Sequence, residues 1–540
     1  MPALQLSRQQ KIFTFAGVLL GLLPAALDQT IVATAGPVIQ RSLEMDTALY
    51  AWLTTAYLVT ATVLIPIYGK LSDLYGRKPI LLVAMAVFLG GSVICGLAPT
   101  ATVLIAGRAV QGAGSAGLFT SAFAVVADLL PPAERGKYQG IFGAVFALAS
   151  VAGPLAGGLI TDTLGWHWAF FINLPVGAVA MAFVWLRMPP VGKHQGGERN
   201  RIDLPGAAAL LLAVVPLMIA LSLPRAGGPP ANSHSWSSWQ ILSLLGLSAA
   251  GGVAFLFIER RAESPIMEFA LFGNRAFGTG VAAAFITGGA FFAPIVFLPL
   301  FMTNVVGMSA TGTGLTTTPL TLSLVAGNVL SGQLAARTKR YKPILVAALI
   351  LLAAGFLMSG LTLGADSTRE EVVVRLIVIG LALGPTIPLF TLAIQNAVPP
   401  DRIGVATSSA IFFRQIGATI GLALMGAVFA GTLSADIGIN STGEPVAVPT
   451  PGARTTLSGS DNNGGEIRDP GKREPGGAVS ANPAPPGGAP GPSNPDQPAR
   501  IQRTAFAHAT RRVLLAAAWF ALAALAVTLR MPELPLRTSL

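Results

Sequence analysis

Apolar blocks of about 20 residues, separated by short polar connections, recur from one end of the chain to the other. A helix of that length crosses the roughly 30 Å hydrocarbon layer of a bilayer. In that layer only helices and closed barrels satisfy their own backbone polar groups. The short alternating strands of a barrel are not found in the sequence. Only 11% of the residues are charged and the mean hydropathy is +0.65, against roughly 25% charged in a soluble domain. The expected fold class is an all-α polytopic membrane protein.

The blocks place spans near residues 13–39, 49–69, 79–98, 101–128, 138–160, 167–187, 206–224, 237–258, 276–305, 311–336, 343–364, 371–397, 403–431 and 511–530. That makes 14 spans, and an even count puts both termini on one side. Short connections on the N-terminal side hold Lys70, Arg77, Lys78, Arg135, Lys137, Lys193, Arg199, Arg201, Arg260, Arg261, Arg337, Lys339, Arg340 and Lys342. Those on the other side offer Arg41, Arg225 and Arg369, with Arg375 at a span edge. Positive loops face the cytoplasm, so both termini are expected to be cytoplasmic. The net charge of +11 is thus explained by topology. Spread over many loops, it makes no nucleic-acid stripe. The first apolar stretch lacks a small-residue cleavage pattern and reads as a span instead of a signal peptide. Cys95 is the only cysteine, which excludes an intramolecular disulfide.

Residues 432–503 differ from every other connection. Pro, Gly, Ser and Asn dominate there, so a disordered external loop is expected, read as a tolerated insertion over a lid or tether. The stretch "AFAHATRRVLL" after it reads as a helical extension of the last span.

Three charged residues fall well inside spans: Asp28, Arg108 and Arg414. Asp28 stands in "GLLPAALDQTIVATAGPVI", where an acid costs ~2.5 kcal/mol or more for insertion at a helix centre. Intramembrane ionisable groups are functional candidates by default; the competing reading is a structural ion pair with Arg108. Arg108 keeps its proton and acts as a fixed charge, and Gln111 follows on the same helix face. A carboxylate whose cationic neighbour and water access change between two states changes its proton affinity, which is the minimum needed to couple protons to a conformational cycle. Arg414 has structural and functional readings of equal weight.

Between the second and third spans the chain reads "GKLSDLYGRKPILL". Gly69 permits close helix approach, Asp73 and Arg77 have ion-pair spacing if the helix continues, Gly76 supplies a turn and Lys78 adds positive charge. A decayed copy, "GQLAARTKRYKPILV", has Ala336 where the acid is expected and points to duplicated halves around a central pathway. In "GAVFALASVAGPLAGG", Gly153 and Gly157 make a GxxxG pair and Pro154 removes a backbone donor. Candidate residues for an apolar substrate cavity are Phe291, Phe292, Phe297, Phe301, Asn304, Asn328, Phe390, Gln395, Phe412 and Arg414; each of the first nine also has packing as its ordinary role. No catalytic constellation, nucleotide loop or metal cluster is present, and His167, His194, His234 and His508 are scattered. An enzyme is not expected.

"GKLSDLYGRKPI" resembles the signature loop of the major facilitator superfamily. "GRAVQGAGSAG" resembles its second motif through Arg108, Gln111, Gly112 and Gly114, and the span-five stretch its antiporter motif through Gly143, Gly153, Pro154, Gly157 and Gly158. "LDQTIVATAGPVI", "WHWAFFINLPVG" and "SSAIFFRQIGATIGLALMGAVFAG" resemble the 14-span EmrB/QacA-type drug:proton antiporters, although His167 replaces an expected arginine. The resemblance implies two six-helix bundles, 13–187 and 276–530, a 188–275 linker region with two added spans, and cytoplasmic ends 1–12 and 531–540. It also implies that Asp128 joins Asp73 and Arg77 in a conformational latch. The function implied is export of hydrophobic or amphipathic small molecules across a bacterial cytoplasmic membrane, driven by protons and without a cofactor. Lipids surround it, and whether a periplasmic adaptor assists is left open. The alternatives are export of lipid or another endogenous amphiphile, and a non-transporting sensor or scaffold.

Overall fold

The computed structural model describes residues 7–45, 47–190, 203–223, 236–308, 310–399, 402–437 and 497–536, and all longer regular elements among them are helices. The first half contains α1 (Arg8–Ser42), α2 (Thr47–Val63), α3 (Ile65–Tyr75), α4 (Arg77–Gly96), α5 (Ala101–Leu129), α6 (Pro132–Thr163), α7 (Trp168–Phe171) and α8 (Asn173–Arg187). A hairpin of α9 (Leu204–Ser222) and α10 (Trp239–Glu259) follows. The second half contains α11 (Arg275–Asn304), α12 (Ala310–Thr338), α13 (Lys342–Thr362), α14 (Arg369–Leu383), α15 (Thr386–Asn396), α16 (Ile403–Ile437) and α17 (Gln497–Arg530).

Among the described residues, 11 helical stretches are long and apolar enough to cross a membrane, or 12 when α2 and α3, bent by 43°, count as one. The break falls where Pro66 enters the first turn of α3 and withholds a backbone donor. Helix starts follow the expected chemistry: the side chains of Thr100, Asp203, Asn274 and Thr368 cap α5, α9, α11 and α14.

The two halves repeat one another in their packing. In the first, α1 lies against α6 and α8, α5 against α2 and α4, and α4 against α8. In the second, α11 lies against α16 and α17, α14 against α12 and α13, and α13 against α17. The repeated loop keeps this correspondence at atomic level. Lys78 Nζ donates to the Trp185 carbonyl at 2.8 Å, and Lys342 Nζ to the Leu529 carbonyl at 2.9 Å. Each lysine grips the last turn of its half's closing helix, where unpaired carbonyls and the negative end of the dipole gather. Both loops turn on a residue of positive φ, Gly76 at 94° and Lys339 at 55°. Where the first copy has the acids Asp73 and Asp128 paired with Arg77, the second has Arg340 paired with Glu533 at 2.9 Å, and that hydrogen bond raises the Arg340 pKa above its ordinary value.

One boundary needs correction. The 432–503 segment was expected to be unstructured throughout, yet α16 runs to Ile437 and α17 starts at Gln497. Thr432 is buried and bonded to the Val428 carbonyl, and Asp436 meets His508 Nδ1 at 2.7 Å, so packing prolongs both helices. The remainder, 438–496, lies outside the described residues. The expected helical extension through "AFAHATRRVLL" is present in α17.

Candidate functional site

Asp28 is fully buried in the first half, with α1, α4, α5 and α8 all contributing to its surroundings. Arg108 Nη1 reaches Asp28 Oδ2 at 2.5 Å. Oδ1 accepts from Gln111 Nε2 and from Asn173 Nδ2, each at 3.0 Å. Every polar partner of this carboxyl group is a donor. The guanidinium is held in turn by its own neighbours. Arg108 Nε donates to the Leu53 carbonyl at 3.1 Å, Nη1 to Gln111 Oε1 at 2.8 Å, and its Cζ lies 4.5 Å from the centre of the Tyr57 ring. Ser92 Oγ accepts from Gln111 and Asn173, and the Cys95 thiol donates to Gln111 Oε1.

Glycines make the cage possible. A methyl on Gly112 would strike the Tyr57 carbonyl and Thr60, and one on Gly114 would strike the Phe88 backbone, so α5 is wedged between α2 and α4. The antiporter-like stretch packs on the same acid-bearing helix. Gly153 faces Thr30 and Gly157 faces the Ile31 backbone, two and three residues beyond Asp28, and Thr30 Oγ donates to the Ala149 carbonyl. Helix α6 continues through Pro154 without interruption, Gly158 faces open space, and Gly143 meets Asn328 of α12 across the halves.

A second cluster lies at the face carrying the basic connections. Arg77 is completely buried and pairs with Asp73 at 2.5 Å and with Asp128 at 2.7 Å, while its Nη1 donates to Ser72 Oγ. The helix does not continue between Asp73 and Arg77 as their spacing required; Gly76 breaks it and the pair closes across the turn. Asp73 also caps another helix. Its Oδ2 accepts the Val405 amide at 3.0 Å in the first turn of α16, on the opposite half. Gly404 leaves just enough room for the Asp73 carboxylate, and Gly69 for Ser408. Of the first-half helices, α3 is the one α16 packs along most, with α5 next and α2 much less. Gln395 of α15 adds a 3.5 Å bond to the Phe123 carbonyl of α5.

The proposed cavity residues scatter. Phe297, Phe301 and Phe390 are buried in the core of the second half, and Phe291 packs on that core with Phe292 edge-to-face at 5.4 Å. In this structure Phe297, Phe301 and Phe390 serve packing, the ordinary role weighed for them in the sequence. Asn304 bonds the Leu300 carbonyl of its own helix. Phe412 joins the first half's core from α16. Gln395 and Asn328 lie at the junction of the halves, and Asn328 Oδ1 is buried without a partner. Arg414 is half-buried on α16, with its backbone carbonyl against Gly288.

Asn173, Ser92, Tyr57 and Cys95 were not assigned to the site from sequence. Uncharged polar groups are common in spans, and only the fold shows which ones converge. Asn173 stood in the quoted "FFINLPVG" stretch, the one signal that pointed toward it.

Residues 18–422 match the family described as Major Facilitator Superfamily. The chain is 38% identical over 421 residues to "Multidrug transporter protein MdtP" of Bacillus subtilis (strain 168), covering 78% of this chain and 76% of that one. It is 39% identical over 417 residues to "Multidrug resistance protein 3" of the same organism, covering 77% and 79%. The fold resembles the crystal structure of the human organic anion transporter MFSD10 (TETRAN), with a TM-score of 0.56 at 16% identity over 78% of this chain and 94% of that one.

Proposed function

Since the chain belongs to the major facilitator superfamily and is a transporter, not an enzyme, we propose that it is a proton-coupled exporter of hydrophobic or amphipathic small molecules working by alternating access. The observation that carries this reading is the Asp28 cage. A carboxylate at membrane depth is held by Arg108, Gln111 and Asn173, donors from two other helices, and is shut off from solvent. Relative movement of those helices removes donors from Asp28 and admits water, and the acid then takes up a proton. Its return to the cage expels the proton. The cycle needs no cofactor.

The basic face is assigned to the cytoplasm, with both termini there, 14 spans including α6 and α12, and the cytoplasmic membrane of a bacterium as its location. In this orientation the contacts of Asp73, Gly69 and Gln395 close the cytoplasmic side. Gly69, Asp73, Gly76, Arg77, Lys78 and Asp128 form the latch of that closed state. Gly143, Gly153 and Gly157 provide the close contact of α6 with α12 and α1 on which rocking turns, and Pro154 and Gly158 complete the same stretch on its open side. Drug-like cargo is supported by the relatives named for multidrug transport, and Phe412, Gln395 and Asn328 are the candidates nearest the junction of the halves, with Arg414 on the same helix as Phe412. A membrane potential of 100 mV contributes ~2.3 kcal/mol per net charge moved.

The test is transport of a panel of lipophilic dyes and antibiotics in proteoliposomes with an imposed pH difference. Wild type should export against a gradient, whereas Asp28→Asn should lose gradient-driven export and still bind cargo. Full gradient-driven export by Asp28→Asn would remove the cage from the mechanism.

A further inference from the structure

The hairpin of α9 and α10 carries an acid pair that the transport reading leaves unused. Asp203 caps α9, with Oδ1 accepting the Gly206 amide at 2.8 Å. Glu259 ends α10, is only 3% exposed, and its Oε1 accepts the Met267 amide. The remaining oxygens, Asp203 Oδ2 and Glu259 Oε2, are both buried and both lack a hydrogen-bond partner. They flank the same glycine: a methyl on Gly206 would meet both oxygens.

Two buried carboxylate oxygens converging without a donor repel one another and forfeit their hydration. One proton between them resolves both costs, because it makes a short charge-assisted O–H···O⁻ bond. We propose that Asp203 and Glu259 form a second proton-binding site, sharing one proton that clasps the start of α9 to the end of α10. The charged groups around it are few. Lys70 of α3 acts on Glu259 from across the first half, Asp203 faces it from the start of α9, and Arg260 and Arg261, just beyond the end of its helix, are exposed. Loss of the shared proton leaves two adjacent anions beneath the hairpin, with Lys70 as the described cation positioned to answer them. The site therefore makes the seating of the added hairpin sensitive to pH on the basic face, independently of Asp28.

Infrared pH titration of the purified full-length protein reads the proton directly. Wild type should show a protonated-carboxyl band that vanishes in one proton step as pH rises. The band should persist in Asp28→Asn and be lost in both Glu259→Gln and Asp203→Asn. In each of these two variants the amide supplies the missing donor, so the hairpin stays closed. A band unchanged by both substitutions, or absent from folded wild type at every pH, overturns the shared proton. Melting temperature gives a second readout. The folded pair holds a proton that free carboxylates release, so wild type should lose stability as pH rises above the ordinary carboxylate range, and the two amide variants should not. Parallel curves for wild type and variants overturn the proposal. Neither measurement involves transport, so the outcome is separate from that of the export assay.

Discussion

Asp28 has three donors, and the two from α5 were legible because a buried arginine and its helical neighbour Gln111 stand out in an apolar span. Asn173 completes the set from α8 at 3.0 Å. Hydrogen bonds to a charged group contribute ~1.5–3 kcal/mol each. Asn173→Ala should therefore lower the melting temperature of the purified protein and cut export, while Ala substitution of an exposed neighbour such as Trp168 should not. Unchanged melting and export in Asn173→Ala would reduce it to a bystander. Asp203 and Glu259 escaped notice in the sequence for the opposite reason. Acids at helix ends near water are ordinary, and only the burial of both beside Gly206 makes them unusual.

At the level of helices, the close approach of α3 and α16 joins the two halves at the basic face through Asp73. Asp73→Asn keeps an acceptor for the Val405 amide but removes the charge opposite Arg77, which retains Asp128. Losing one charge-assisted contact of ~1.5–3 kcal/mol shifts a two-state equilibrium roughly tenfold or more. The closed form should become less populated, so export should fall about tenfold while the amount of protein in the membrane stays near wild type. Export at wild-type rate would show that the contact is not a latch. The spacing of Asp73 and Arg77 announced their pairing, and Asp128 followed from resemblance. Which helix Asp73 would cap was hidden, because Val405 lies 332 residues away. Contacts at that separation leave no periodic trace in a single sequence. The aromatic candidates were ambiguous for a related cause: Phe297, Phe301 and Phe390 have the composition of a binding surface and, in this structure, the burial of a core.

For the whole molecule, the duplicated packing and the added hairpin give a transporter whose helices make their own contacts without the 438–496 segment. Asp436 and His508 tie α16 to α17 directly, and α17 packs on α11, α13 and α16. Replacing 438–496 by a flexible linker of about 20 residues, which spans roughly 25 Å, should leave export near wild type in the proteoliposome assay. Abolished export would assign that segment a part in function. The helix succession was legible where bilayer thickness imposes a common block length, which 11 or 12 helical stretches among the described residues meet. The bend at Pro66 and the helical ends of 432–503 were not, since both depend on what each helix meets. The lysine grips of Lys78 and Lys342 survive in both copies, whereas the acid of the first loop is Ala336 in the second. Each half thus keeps the fastening that holds its closing helix, while the acid that reaches across to the opposite half stands in the first copy alone.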